Sequence, residues 1–274
     1  MNRQEQLGWE ARVGRLAAAA AFVSALFSVI SIALQTSIGG ADDERDALLR
    51  VDEDGDVLLA SLGAQSVAYA LLAFVLYFLL RAAVARRPEV PKALLPLVLL
   101  APMLLIVGGF ITQLGVADVA DEFVSSGART EARAEDLLED RAILGPILGS
   151  AGTLCLAISF VMVGVNGMRV GLLSRFMGVL GIIVGALLVL PLIPGGQGVV
   201  QIFWTAALGA LFLGKWPGGR GPAWESGTAE PWPSAADRQR AAAGTGEEPT
   251  DAVPADGGEE QQPAPQRRKR KRKR

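Results

Sequence analysis

The sequence predicts an all-α protein, a polytopic transmembrane helical bundle of six spans with both termini cytoplasmic and a disordered C-terminal tail. Three observations carry that expectation. Of 274 residues, 51% are hydrophobic and 20% charged, whereas a soluble domain carries roughly 25% charge. Six apolar stretches approach the ~20 residues a helix needs to cross the hydrocarbon core, and the only charge in any of them is Arg175, at the margin of the fifth. The hydrophilic segments between them alternate along the chain, basic and then acidic.

Residues 1–15 carry Arg3, Arg12 and Arg15 and are expected as a cytoplasmic segment ahead of a membrane domain over 16–214. The first span, 16–38, is longer than the 7–15 apolar residues of a secretory signal and lacks a clear small-x-small cleavage site, so it is expected to be retained. The loop 41–57 holds eight acids and two arginines. Its DEDGD run invites a calcium reading, but Asp52, Asp54 and Gly55 do not fall in the EF-hand register, which favours a solvated acidic loop. The second span is 58–80, followed by Arg81, Arg86, Arg87 and Lys92 against Glu89 alone. The third, 93–116, contains Pro96 and Pro102; Pro102 sits near mid-span, where it deprives a carbonyl of its partner and favours a bend.

The second acidic loop, 117–142, has eight acids and three arginines. Its EARAEDLLEDR stretch predicts a helix, with acids spaced three or four from arginines. Leu137, Leu138 and Ile143 would let that helix lie along the membrane surface. The fourth span is 143–165, the fifth 171–193 and the sixth 196–214, with Arg169 before the fifth and Arg175 at its margin. Basic residues thus mark alternate connections, and the positive-inside rule puts those in the cytoplasm, in a plasma membrane.

Composition also excludes chemistry. The chain has no histidine and one cysteine, Cys155. Histidine metal sites, Ser-His-Asp chemistry and an intrachain disulfide are therefore ruled out, and no cofactor is expected. A hydrolase would need a Ser, Thr or Cys nucleophile without histidine help. The spans lack the intramembrane carboxylates on which ion-coupled transporters usually rely. The expected function is that of an integral plasma-membrane protein without evident catalysis, in a structural, scaffold or accessory role. The alternative is a channel or facilitator for a neutral or cationic small solute, and Gln65, Tyr69 and Gln201 are the deepest polar residues able to line its cavity. Gly178, Gly181 and Gly185 in the fifth span form a small-residue stripe that permits close helix packing, within the chain or across a homodimer.

Residues 215–234 form a Trp/Pro/Gly-rich cytoplasmic segment, with Trp216, Trp224 and Trp232 expected to pack on helix ends or dip into headgroups. Proline, glycine and charge without apolar periodicity predict disorder over 235–274. The tail ends in RRKRKRKR: Arg267, Arg268, Lys269, Arg270, Lys271, Arg272, Lys273 and Arg274. Beside a cytoplasmic leaflet these would contact anionic lipid headgroups, and a polyanion or protein partner stays open. No aromatics interleave the run, so specific nucleic-acid recognition is not expected.

The stretch NGMRVGLLSRFMGVLGIIVGALLVLPLIPGG, followed by FWTAALGALFLGKWPGGRGPAWESGTAEPWP, resembles uncharacterised multi-pass membrane proteins of actinobacteria. The resemblance covers about residues 166–233 and implies a multi-span membrane protein. It carries over no catalytic or binding residue.

Overall fold

The computed structural model describes residues 2–139, 143–190, 196–233 and Gln239. Contacts divide the chain into Met1–Trp232 and Pro233–Arg274. The polybasic run 267–274, and the disorder expected over 235–274 apart from Gln239, lie outside the described residues.

Helix α1 runs unbroken over Arg3–Ile38. It opens with a capping box in which Asn2 accepts from the Glu5 amide at 2.8 Å and Glu5 accepts from the Asn2 amide at 3.0 Å, satisfying donors a helix start leaves free. Residues 3–15 of the expected N-terminal segment are thus helical and continuous with the first expected span. Gly39, with φ 77°, ends it. There follow α2 (Glu44–Glu53), α3 (Gly55–Arg86), α4 (Leu94–Ser125), α5 (Glu131–Glu139), α6 (Leu144–Arg169), α7 (Arg175–Val189), α8 (Gly196–Phe212) and the single turn α9 (Ala223–Ser226). All regular structure among the described residues is helical.

Four helices, α1, α3, α4 and α6, are long and apolar enough to cross a membrane. At about 1.5 Å per residue, each exceeds a ~30 Å core. The fifth and sixth expected spans are shorter as helices, 15 residues in α7 and 17 in α8. The fifth loses its first turn for a local reason. Gly171, φ 78°, terminates α6 while the Leu172 and Leu173 amides fold back onto the Gly167 carbonyl at 2.9 and 3.0 Å. Ser174 then caps α7, its hydroxyl accepting from the Met177 amide at 3.3 Å. Residues 191–195, with Pro191 and Pro194, lie outside the described residues.

Small residues let the helices touch. On α1, Ala17, Ala21, Ser24, Ser28 and Ser31 are buried, and Ser24 donates to the Ala68 carbonyl of α3 at 2.8 Å. Helices α4 and α6 meet backbone to backbone. A Cβ built on Gly108 would stand 2.7 Å from the Gly149 nitrogen, and one on Gly152 would stand 2.9 Å from the Leu105 nitrogen. The glycine stripe of α7 is used inside the chain: Gly178 lies against Gly164 and Met168, Gly185 against Ala157, and Gly181 under the Trp204 indole. Pro102 sits buried within a continuous α4.

The core runs through Leu72, Val75, Leu76 and Phe78 of α3, Phe160 of α6 and Trp204 of α8. Trp204 is fully buried, donates to the Met177 carbonyl at 2.8 Å and meets Phe160 edge-on at 5.1 Å. Outward faces expose large apolar side chains, among them Leu26, Met103, Leu114, Leu154 and Phe203. Exposed apolar side chains around a packed interior suit lipid rather than water.

The two ends differ. At one, α2, α5 and the last turns of α4 enclose a small apolar cluster of Leu48, Ala120, Phe123 and Ala134, with Leu137 and Leu138 packed against it. The expected solvated loops 41–57 and 117–142 are thus largely helical and folded on each other. The two leucines, half-buried, pack against this cap, where α4 continues to Ser125 and contributes Phe123. Glu131, at the start of α5, has its carboxyl held above the usual carboxylate range, first by desolvation and then by Asp43, Glu135 and Glu44. The other end gathers the start of α1, the end of α3, the α6–α7 turn and residues 215–232, and is rich in arginine and tryptophan.

Candidate functional site

A cavity of about 370 Å³ opens among α1, α3, α6, α7 and α8 in the half of the bundle nearer the acidic end. Gln65 and Tyr69 line it from α3, Gln201 from α8, Ser28 and Gln35 from α1 and Thr153 from α6, with Ile32, Leu188, Gly198 and Ile202 completing the wall. One turn separates Gln65 from Tyr69, so both project from one face of α3, and the Gln65 side chain neighbours the Tyr69 hydroxyl. Tyr69 lies fourteen residues into α3, roughly 21 Å along the helix from Gly55.

The cavity is polar on one wall and closed below. At its rim the Gln35 amide donates to the Ser31 and Ser61 hydroxyls at 3.1 and 3.0 Å, clamping α1 to α3. The Thr153 and Thr205 hydroxyls bond back to the Gly149 and Gln201 carbonyls at 2.9 and 2.8 Å, leaving the Gln201 side-chain amide facing the space. Beyond Tyr69, toward the basic end, Leu72, Leu76, Phe160, Trp204 and Leu208 are buried and pack as core. None of the described lining residues is charged. Amides and hydroxyls both donate and accept, so the wall suits a small uncharged solute with both kinds of group. An ion would lose its hydration shell there without a countercharge.

The basic end holds a second constellation. The Arg86 guanidinium and the Glu10 carboxylate form two parallel contacts, 2.6 and 2.8 Å, with both side chains almost wholly buried. Gln6 donates to the same carboxylate at 2.7 Å, and Arg86 also donates to the Ala223 carbonyl at 2.9 and 2.7 Å. The Trp224 indole donates to the Leu172 carbonyl at 3.0 Å, and the Glu230 amide to the Val170 carbonyl at 3.2 Å. Trp224 stacks on Phe78 at 5.8 Å and lies under the guanidiniums of Arg86 and Arg220 at 5.5 and 5.1 Å. Burial lowers the Arg220 pKa from its ordinary value, with Arg86 adding to the effect and Glu10 and Glu225 opposing it. Residues 215–232 are thereby strapped over the helix ends. These contacts are all made within the protein, with the buried Arg220 Nε left without a hydrogen-bond partner, and together they make the cluster a clasp.

Gln65, Tyr69 and Gln201, singled out from the sequence, line one cavity. Ser28, Gln35 and Thr153 were not anticipated as its partners, because depth in a span says nothing about which face a residue takes. The Glu10–Arg86 pair has no sequence signature either, since the partners lie 76 residues apart. Among the described residues no cluster of three or more Cys, Asp or Glu is placed to hold a metal ion. No family model, curated protein or solved structure matches this chain.

Proposed function

We propose that the chain is a plasma-membrane facilitator, or solute-binding component, for a small neutral polar solute that enters from the acidic side. It crosses the membrane six times, with α7 and α8 as the short fifth and sixth spans and both termini cytoplasmic. The observation that carries this is the cavity itself. Gln65, Tyr69 and Gln201 converge on about 370 Å³ of space that reaches almost halfway along the bundle's second spanning helix, where an unused polar wall would be costly to maintain. The positive-inside rule supports the orientation, since Arg81, Arg86, Arg87, Arg169 and Arg175 cluster at one end and most acids of the loops 41–57 and 117–142 lie at the other. Trp204 and Phe160, packed between the cavity and the basic end, are the barrier that solute passage must move.

A structural or accessory role is the second reading, favoured by the clasp of Glu10, Arg86 and Trp224, which leaves the basic end tightly knit. Purified protein in phosphatidylcholine liposomes separates the two. Osmotic-swelling assays with urea, glycerol and small amides should show permeability above empty liposomes, falling at least several-fold in the doubly substituted Gln65→Leu/Gln201→Leu protein. Permeability equal to empty liposomes for all of these solutes would leave the accessory role.

A further inference from the structure

We propose that the start of α7 carries a binding site for one anionic glycerophospholipid of the leaflet at the basic end. An apolar groove of about 350 Å³ runs down the outer face of α7, lined by Arg175, Phe176, Val179, Leu180 and Ile183. The spacing from Phe176 to Ile183, about 10 Å of helix, gives one face on which Phe176, Val179 and Ile183 remain exposed. That length and chemistry fit part of an acyl chain.

What selects a phospholipid, and an anionic one, sits at the groove's mouth. Arg175 is the first residue of α7, where unsatisfied amides and the helix dipole already favour negative charge. Lys215 follows α8, and the next residue, Trp216, stacks on Phe176 with ring centres 6.3 Å apart and planes 17° apart. The stacked pair therefore carries one cation beside each ring along the chain. No described residue forms a hydrogen bond or ion pair with the Arg175 or Lys215 side chain. Cations and an indole at the mouth of an apolar groove match the order in which a phospholipid presents phosphate, glycerol and acyl chain. The site is separate from the polar cavity.

The inference rests on the membrane placement given above but not on solute passage. The test is native mass spectrometry of the full chain released from nanodiscs of mixed phosphatidylglycerol and phosphatidylcholine. One phosphatidylglycerol should be retained in preference to phosphatidylcholine. The Arg175→Gln/Lys215→Gln protein should lose that preference by roughly fivefold per cation removed. Val179→Trp, which fills the groove, should lower retention of both lipids while leaving the protein folded by circular dichroism. Excess inorganic phosphate should not displace the lipid, because the chain contributes to holding it. Equal retention of the two lipids by the natural sequence, or a preference untouched by the double substitution, overturns the site. Displacement by phosphate alone overturns it too, reducing it to a surface anion contact. Liposome permeability is read without phosphatidylglycerol, so either result can fail while the other holds.

Discussion

Glu10 and Arg86 close the basic end through a charge pair that neither helix explains alone. Glu10 is 2% exposed and sits on the α1 face that packs toward α3; Arg86 ends α3 and is satisfied by Glu10, Ala82 and Ala223 together. A buried pair of this kind need not add much net stability over an apolar substitute, but removing one partner strands the other. Arg86→Met should therefore lower stability by about 3 kcal/mol, read as a shift in the unfolding midpoint in detergent micelles. The double variant Glu10→Leu/Arg86→Met should recover a good part of that loss. An unchanged midpoint in Arg86→Met would mean the pair does not form in the protein in solution. The Gln65 and Tyr69 side chains show the other side of residue-scale reasoning. Their depth in an uncharged span marked them in the sequence, because polar groups so placed need a partner or a cavity.

At the scale of the element, the contact between α4 and α6 turns on which glycines face the partner backbone. Gly145, Gly149 and Gly152 crowd the first half of α6, and composition treats them alike. The structure separates them. A Cβ on Gly145 would stand 2.7 Å from the Thr112 nitrogen, and one on Gly152 would stand 2.9 Å from the Leu105 nitrogen, whereas one on Gly149 would meet nothing within 4 Å. Backbone cannot yield as a side chain can. Gly152→Ala should destabilise by about 1–3 kcal/mol through overpacking. Gly149→Ala should be neutral or gain up to about 1 kcal/mol from the better helix former. Equal losses at the two positions would show that α4 and α6 are packed in another register. The same contrast explains what could be read in advance. Apolar length located α1, α3, α4 and α6, because a span's hydrophobicity is a local property. It overestimated α7, where Gly171 and Ser174 set the start through turn and cap geometry. It also missed the cap of α2 and α5, whose few apolar residues make a core only once α4 extends between them.

For the whole molecule, the question is how many times the chain crosses. Glu10–Arg86, Trp224–Leu172 and the contact of Phe212 with Phe78 at 5.2 Å bring the start of α1 and the ends of α3, α6 and α8 to one end. A chain that starts and finishes at that end has crossed an even number of times, whether α7 and α8 cross fully or dip in and return. Their helical rises, roughly 22 and 26 Å, fall short of a ~30 Å core. The Ile32 side chain nevertheless reaches within 3.4 Å of where a Cβ would stand on Gly198, near the far end of α1, so the hairpin comes close to the opposite surface. Single cysteines in a Cys155→Ser background, labelled on intact cells with a membrane-impermeant maleimide, distinguish the cases. Ser126→Cys, at the acidic end, should label from outside, and Glu89→Cys only after permeabilisation. Leu190→Cys, at the end of α7, decides the count. Labelling from outside gives six spans, the number the proposal requires. Protection before and after permeabilisation, with Ser126→Cys still reactive, would make α7 and α8 a re-entrant hairpin in a four-span protein. The polar cavity would then lie between α7 and α8 on one side and α1, α3 and α6 on the other, an arrangement in which movement of α7 and α8 together would open or close it.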